Sequence, residues 1–459
     1  MALPKDCFPD FSEFKKKAQQ GNLIPVYKEI LADTETPVSA FMKLNAFENC
    51  FLLESVEGGE KWARYSFIGF NPATIFKSKG KNVTIKRGAS IEEVTAENPL
   101  AMLRDMMQQY APVEIDGLPR FFGGAVGYAG YDMVRFFESL PDATEDDPAW
   151  HDTYFMITDT LVIFDNLKHN VKVVYNIHVD EMKGNLRRAY DQAAEAIENI
   201  IELLNKPLKK TIKKSLPRKN KIASNFTKPA FKKIVEKAKS YIRAGDIIQV
   251  VLSQRFEIDL ETDPFELYRS LRIINPSPYM YFIKMGKQYI VGSSPEVLVR
   301  LERNEIVVRP IAGTRKRGID DMQDMLMEND LKQDPKEVAE HVMLVDLGRN
   351  DVGRVAEMGT VRVDDFMVVE RYSHVMHLVS NVRGTLKKGR DAYDVFSACF
   401  PAGTVSGAPK IRAMEIIEEL ELQKRGPYAG AVGYFSFSGN MDFCITIRTM
   451  LVKNGKIYV

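Results

Sequence analysis

Two short sequence patterns occur twice in the chain, and in the same order. The stretch Ile68 to Phe76, IGFNPATIF, is similar to Val291 to Val299, VGSSPEVLV, and each copy is followed by a polar turn and another strand pattern. The pentapeptide GAVGY occurs at Gly124 to Tyr128 and again at Gly430 to Tyr434. A five-residue match alone is weak evidence, but two matches in one order favour a unit that is used twice. We therefore expect two internally similar halves.

Short strand patterns outnumber alternating strand–helix units over the whole chain. Tyr154 to Phe164 and Val171 to Val179, joined by a polar turn, predict a hairpin. Long amphipathic segments such as Met182 to Leu204 predict helices that cover a sheet. We therefore predict an α+β fold of mostly antiparallel sheets with helices outside.

A basic segment with two prolines separates the halves. Lys206 to Lys221 reads KPLKKTIKKSLPRKNK and has no aromatic residue for stacking, so an exposed linker is favoured over a phosphate-binding arm. We place an N-terminal half at 1–205, a linker at 206–224 and a catalytic half at 225–459, because the second half holds most of the candidate chemistry.

Composition argues against several classes of function. The chain has 63 basic and 62 acidic residues, and this balance gives no reason to expect nucleic acid or an anionic membrane as partner. The four cysteines show no CxxC spacing, and no apolar run marks a signal peptide or reaches membrane-spanning length. We expect a cytoplasmic protein.

The stretch Lys336 to Arg354, KEVAEHVMLVDLGRNDVGR, predicts a helix that carries acidic residues beside an apolar face. Asp334 and Pro335 stand at the N-cap and first helical positions, and Gly348 predicts the end of the helix. Three valines at i, i+4 and i+7 predict the inward face: Val338, Val342 and Val345.

Glu337 and Glu340 are three residues apart, so a helix places both carboxylates on one side. One interpretation is a helix cap and a solvated face, because Glu337 occupies the capping-box position. The other is half of a magnesium site, since Mg²⁺ is usually held by one or two carboxylates together with water and substrate oxygens. Spacing alone leaves both interpretations open.

Five further motifs of the second half combine glycine, hydroxyl and guanidinium groups. Glycine-rich backbone lets N–H groups approach anionic oxygens, and arginine grips carboxylates, so the expected ligand is a small polyanion. The motifs are Gln249 to Arg255, Pro310 to Arg315, Arg371 to His377, Ala402 to Lys410 and Ile445 to Arg448.

Together with the acidic helix, these motifs resemble those of the chorismate-utilising enzymes, and the resemblance covers essentially the whole chain. It implies two sheets packed as a sandwich with helices outside, in which the N-terminal half wraps the catalytic half. The reaction it implies adds ammonia to chorismate, expels the ring hydroxyl group and eliminates pyruvate, which leaves an aromatic amino acid.

The resemblance also implies roles for individual residues. Glu340 would bind Mg²⁺ directly and Glu337 through water, and the ion would act as a Lewis acid on the ring carboxylate. His377, paired with Thr404, would assist loss of the hydroxyl group as a general acid, whereas taken alone it would more often be a core histidine. The chorismate-binding residues would be Gly313, Thr314, Tyr428 and Arg448.

Two positions indicate the anthranilate-forming branch of this family. Gln249 stands where the water-adding members have a lysine base, and neutral glutamine cannot deprotonate water, whereas ammonia brings its own lone pair. Ala312 stands where aminodeoxychorismate synthases commonly have a nucleophilic lysine. The alternatives are an aminodeoxychorismate synthase component and a catalytically idle tryptophan sensor.

The resemblance further implies a partner and an inhibitor. No cysteine lies in a GxCxG context, so a separate glutamine amidotransferase subunit is the expected ammonia source. Two segments match those that line a tryptophan site in this family, which implies feedback inhibition by tryptophan. Without the resemblance they would be interpreted as a strand end and an ordinary turn. The expected site residues are Ser55, Pro278, Tyr279 and Met280. Beyond Val459 the resemblance implies a glycine-rich loop and a second pair of metal-site glutamates, and we expect turnover to be poor without them.

Overall fold

The computed structural model describes residues 7–31, 34–56, 64–180, 185–208, 221–372 and 374–459. Most of the predicted linker, residues 209–220, lies outside the described residues. In the described part of the chain, no helix is both long and apolar enough to cross a membrane.

The strands are short and numerous, as predicted. They are β1 (Leu23–Leu31), β2 (Asn49–Glu54), β3 (Tyr65–Phe70), β4 (Thr74–Lys79), β5 (Asn82–Arg87), β6 (Ser90–Thr95), β7 (Gly124–Ala129), β8 (Thr153–Thr158), β9 (Thr160–Asp165), β10 (Asn170–His178), β11 (Ala223–Ser224), β12 (Gln249–Val250), β13 (Phe256–Asp259), β14 (Tyr279–Met285), β15 (Gln288–Ser294), β16 (Val297–Glu302), β17 (Glu305–Val308), β18 (Ile311–Lys316), β19 (Arg362–Arg371), β20 (Val375–Thr385), β21 (Gly407–Ala408), β22 (Ala431–Ser436), β23 (Met441–Ile445), β24 (Thr449–Lys453) and β25 (Lys456–Tyr458).

Ten α-helices lie in the described residues, and several begin at an Asx or threonine cap. They are α1 (Phe11–Lys17), α2 (Pro37–Leu44), α3 (Pro99–Met107), α4 (Leu186–Asn205), α5 (Lys228–Ala244), α6 (Pro264–Ile274), α7 (Asp321–Gln333), α8 (Pro335–Gly353), α9 (Ala392–Cys399) and α10 (Lys410–Leu420).

Two large antiparallel sheets form the centre of the molecule, which confirms the predicted fold class. The first sheet has the order β1-β10-β9-β3-β2-β14-β15-β24-β25-β13-β11. The second has the order β18-β20-β17-β16-β23-β22-β7-β8-β4-β5-β6, with β19 paired to β20. Both sheets contain strands from both halves of the chain, so the halves at 1–205 and 225–459 are not separate domains. Ala223–Ser224 of the predicted linker forms the edge strand β11.

The repeated sequences occupy equivalent places in these sheets. The two GAVGY copies meet where β7 pairs with β22, and Gly127 lies opposite Gly433. In the first sheet β3 and β15 flank the central pair β2–β14 in the same way. The expectation of two internally similar halves is therefore confirmed by the sheet order.

Apolar side chains fill the space between the sheets and the space under the helices. One cluster joins residues of the first sheet, such as Phe51 and Phe282, to residues of the second, such as Tyr128. The other packs the second sheet against helices and includes Phe435 and Val345. The second sheet is consequently covered on both faces, and α8 is fixed against it.

The predicted course of α8 is wrong at its end. The helix does not stop at Gly348 but continues to Gly353. Gly348 packs against the sheet, where an added Cβ would lie 3.5 Å from Pro310 and Val382. Of the three valines predicted to face inward, Val342 is 44% exposed, and the buried positions are His341, Leu344, Val345, Gly348, Asp351 and Val352.

Candidate active site

Gly313, Thr314 and His377 lie together on the adjacent strands β18 and β20. The register between these strands shifts from Ala312 to Arg315, and Gly313 has φ 68°, in the left-handed region that favours glycine. In this arrangement the His377 Nδ1 atom lies 2.8 Å from the Gly313 carbonyl oxygen and 3.1 Å from the Thr314 Oγ1 atom.

His377 is neutral at pH 7 in these surroundings. Because a carbonyl oxygen can only accept, the Nδ1 atom carries the proton and donates it to Gly313. Burial, together with the charge of Arg448, lowers the pKa of His377 against the opposing effects of the Gly313 carbonyl and Glu370. The Nε2 atom therefore presents a lone pair that can accept a proton.

The start of α8 follows the prediction. The Asp334 carboxylate accepts the N–H groups of Lys336 at 2.9 Å and Glu337 at 3.3 Å. The Glu337 side chain is 21% exposed, and its Oε1 atom lies 3.6 Å from an Arg315 nitrogen. A Cβ added at Gly313 would be 3.2 Å from the Glu337 Oε2 atom, so this carboxylate lies beside the turn that holds His377.

Glu340 lies beside Gln249. The pairing of β12 with β21 places Gln249 opposite Ala408, and its Nε2 atom donates to the Glu340 Oε1 atom over 3.4 Å. The other amide atom, Gln249 Oε1, is buried and has no hydrogen-bond partner among the described residues. A neutral amide thus contacts the carboxylate expected to bind the metal.

Glu337 and Glu340 fit a magnesium ion as a partial site. Both are half-buried on one side of α8, and carboxylates completed by water and substrate oxygens suit Mg²⁺. Across the described ranges, no group of three His, Cys, Asp or Glu residues could hold a metal without such additional ligands.

Thr404 is held against α8 by the turn Gly403–Val405. A Cβ at Gly403 would lie 2.0 Å from Leu347 Cδ2, so a larger residue there would require the Leu347 side chain to shift. The Thr404 hydroxyl group is buried and makes no hydrogen bond within the described residues, so the expected pairing with His377 is not a direct bond. Thr404 instead lines a cavity of about 30 Å³ together with Glu296.

Glu296 is a candidate functional residue that the sequence interpretation missed. Its side chain is buried, and burial raises its pKa to about 8 even though Thr404 and Arg448 act in the opposite direction. The carboxyl group therefore keeps its proton at neutral pH. A signal was present in the repeat, because Ala73 occupies the matching position of the first copy, IGFNPATIF, and only the second copy has an acid there.

Arg448 and Tyr428 differ in their relation to this site. Arg448 is exposed, has a left-handed backbone with φ 51°, and its charge acts on both His377 and Glu296. Tyr428 lines a separate cavity of about 290 Å³, where its ring lies 5.7 Å from the Arg425 guanidinium group. The structure therefore links Arg448 to His377 and Glu296 through its charge, and it places Tyr428 in the lining of the second cavity.

The four residues of the expected tryptophan site line one cavity of about 520 Å³: Ser55, Pro278, Tyr279 and Met280. The pairing of β2 with β14 brings these two segments together. The Ser55 Oγ atom is buried without a hydrogen-bond partner in the described residues. The Tyr279 hydroxyl group donates to Asp442 at 2.7 Å and accepts from Arg300 at 3.1 Å, which fixes one wall of the cavity.

Comparison with known proteins gives consistent matches over the chain. Residues 48–459 match the family model described as chorismate binding enzyme. The chain is 50% identical to anthranilate synthase component 1 of Acetivibrio thermocellus, over 98% of this chain and 92% of that protein, and 48% identical to the Aquifex aeolicus component 1, over 97% and 90%.

Solved structures agree with these matches. The crystal structure of anthranilate synthase component I from Streptococcus pneumoniae superposes with a TM-score of 0.78 at 36% identity, over 94% of this chain and 92% of that one. The menaquinone-specific isochorismate synthase of Escherichia coli, at 17% identity and a TM-score of 0.67, shares the fold. The chain thus belongs to the family of chorismate-binding enzymes.

Proposed function

We propose that this chain is the synthase component of an anthranilate synthase, which converts chorismate and ammonia to anthranilate, pyruvate and water. The observation that carries the proposal is the contact of the neutral Gln249 amide with Glu340, 3.4 Å apart, beside the anion-binding turn at Gly313. No basic side chain is available at position 249 to activate water, whereas ammonia needs no such base. The relatives that are named anthranilate synthase component 1 support the same reaction.

Magnesium is the cofactor we propose, with Glu340 as direct ligand and Glu337 as a ligand through water. When bound, the ion supplies a Lewis acid that holds the ring carboxylate of the substrate. The protein's own contribution is geometric, because α8 fixes both glutamates beside Gly313 and Gln249.

Two groups are poised to handle protons. The protonated Glu296 carboxyl group is suited to donate a proton to the departing ring hydroxyl group, since its pKa of about 8 leaves it neutral at physiological pH. The neutral His377 Nε2 atom is suited to accept the ring proton when pyruvate leaves. The general-acid role expected for His377 stays a prediction. In that role the imidazole must gain a proton before it can donate one, and the negative charge of bound substrate would favour this protonation.

The ammonia source we propose is a glutamine amidotransferase subunit that binds this chain. Free ammonia is scarce at neutral pH, and Cys50, Cys399 and Cys444 are buried thiols whose pKa values are raised by burial, so they are unsuited to act as a glutaminase nucleophile. All four cysteines are free, which supports a reducing compartment such as the cytoplasm.

Tryptophan is the inhibitor we propose for the cavity at Ser55. The cavity is lined by aromatic and methionine side chains, among them Phe67, Met280 and Tyr434, and these suit an indole ring. The unpartnered Ser55 hydroxyl group supplies a hydrogen bond for a polar ligand atom.

The test is to incubate the protein with chorismate, a magnesium salt and an ammonium salt, and to follow anthranilate by its fluorescence. The assay is run on this chain. We expect magnesium-dependent anthranilate formation that is lost in Glu340→Ala. Accumulation of aminodeoxychorismate, or no reaction, would contradict the proposal.

A further inference from the structure

The hydrogen bonds already described hold the His377 side chain on one side, the side that faces β18. Those bonds join its Nδ1 atom to Gly313 and Thr314 of β18. The terminal torsion of a histidine ring has broad minima, so bonds at one nitrogen leave the direction of the other nitrogen incompletely fixed. The contacts on the opposite side, from β19, therefore matter for the Nε2 atom.

Tyr372 supplies the contact on that side. Its ring packs edge to face against the His377 ring, with centroids 5.6 Å apart and planes at 62°. The Tyr372 hydroxyl group donates to the Glu370 Oε2 atom at 3.0 Å. Glu370 lies directly opposite His377 in the β19–β20 register, where cross-strand side chains are close neighbours.

Arg309 fixes this carboxylate in turn. Arg309 lies between β17 and β18, is 8% exposed, and forms an ion pair with the Glu370 Oε1 atom. The two carboxylate oxygens of Glu370 are thus used by different partners, Arg309 and Tyr372. The arginine also balances the negative charge of Glu370, which would otherwise lie uncompensated beside the His377 ring.

Resting on the proposed function, we propose that Tyr372 and Glu370, held by Arg309, are positioning residues that set the orientation of the His377 imidazole ring. The chain of contacts runs from the buried guanidinium group through the carboxylate and the phenol to the ring. Each member is fixed by the next, so the Nε2 atom is directed without any of the three touching substrate. Ordinary cross-strand packing would instead affect stability alone.

A double-mutant cycle tests the proposal. We expect Tyr372→Phe to lower kcat about tenfold with KM unchanged, since small misplacements of a reacting group cost up to about 10²-fold. In a His377→Ala background the same substitution should have no effect on kcat. The matched control is Tyr154→Phe, which removes a hydroxyl bond of the same kind, to Asn49 at 2.9 Å, in another part of the sheets. An equal loss of kcat in both backgrounds would overturn the proposal.

Conservative variants and a spectroscopic readout complete the test. Glu370→Gln retains an acceptor for the Tyr372 hydroxyl group, so it should keep more activity than Glu370→Ala. Nitrogen-15 spectra of labelled histidine should show changed His377 ring signals in Tyr372→Phe and unchanged ones in Tyr154→Phe. This readout does not need turnover, so it decides the proposal even if the protein makes no anthranilate. Unchanged His377 signals in Tyr372→Phe would overturn it.

Discussion

Glu296 is buried and His377 is half-buried, and removal from water favours the neutral form of each. For the acid this means retention of a proton, and for the base it means loss of one. The pair is therefore poised to give and to accept a proton near neutral pH without a large change in charge. This division of roles gives a pH dependence that can be measured.

We expect the turnover of this chain to fall as pH rises through about 8, because Glu296 then loses the proton it donates. Glu296→Gln should be slower by roughly 10²- to 10⁴-fold and should lack this pH limb. The measurement is kcat against pH, with total ammonium adjusted to hold free ammonia constant. Glu93→Gln, at an exposed position on β6, is the control. An unchanged pH limb in Glu296→Gln would argue against the assignment.

The same substitution should have the opposite effect on stability. The pKa of Glu296 is raised to about 8 in the folded chain from 4.5, its ordinary value in water, so between these values only the folded state holds the proton. Stability conferred by this proton is present below about 4.5 and is lost as pH rises toward 8. At pH 8.5 we therefore expect Glu296→Gln to have a higher urea midpoint than the unsubstituted chain. A lower midpoint would contradict the buried, protonated carboxyl group.

Among the residues predicted from sequence, the four of the expected tryptophan site lie together: Ser55 and Met280 line one cavity although they are far apart in sequence. The substrate-binding role of Tyr428 stays a prediction; the residue lines another cavity, beside Arg425. Glu296 was missed because the buried position of a single acidic residue depends on tertiary packing, which motif spacing does not report.

At the scale of elements, the errors come from packing. Gly348 was predicted to end α8, yet it lies inside the helix and is buried against the sheet, and the local sequence does not distinguish such a glycine from one that ends a helix. Helix α7 was not predicted, because only Asp324 and Leu331 are buried in it and no apolar face is visible in its sequence. It is tied to β18 through the ion pair of Arg315 with Asp330 instead.

The close approach of β22 to its partner strand β23 can be tested. A Cβ at Gly433 would lie 2.1 Å from the Asp442 carbonyl oxygen, which is backbone and cannot move aside. We expect Gly433→Ala to lower the free energy of unfolding by about 1–3 kcal/mol or more. Gly353→Ala is the control, since nothing lies within 4 Å and alanine should stabilise the helix by about 0.5–1 kcal/mol. Equal urea midpoints for both variants would contradict the close packing of β22 on β23.

At the scale of the whole molecule, the cavity proposed for tryptophan lies where the two halves of the chain meet. Its lining includes Ser55 and Arg120 from the first half and Met280 and Asp442 from the second. A ligand bound there shifts the equilibrium between two arrangements of the halves only to the extent that it binds one arrangement more tightly than the other.

Tryptophan at 100 times its Kd should raise the free energy of unfolding by about 2.7 kcal/mol, because it binds only the folded state. Thermal unfolding with and without the ligand measures this shift. Ser55→Ala and Met280→Ala should reduce the shift, whereas Ser90→Ala, on the exposed strand β6, should not. A shift of equal size in all three variants would place the ligand elsewhere.

The joining of the halves has a consequence for folding. Each half supplies about half of both sheets, and the joints are the pairs β2–β14 and β7–β22. Residues 1–205 alone would leave β2 and β7 as long, apolar edges, and residues 225–459 alone would leave β14 and β22 in the same state. Strands that are paired on both sides in the intact chain would then be exposed to water and to other chains.

We therefore expect neither half to unfold cooperatively when it is produced alone, and both to aggregate. Produced together, they should associate into a particle of the intact mass that binds tryptophan, because the joints contain the wall of that cavity. The control is the intact chain cleaved at a protease site placed in the linker, which should stay associated since cleavage leaves every strand pair in place. Cooperative unfolding of either half by itself would mean that the shared sheets are not what holds the molecule together, and the two halves would then have to be treated as separate domains.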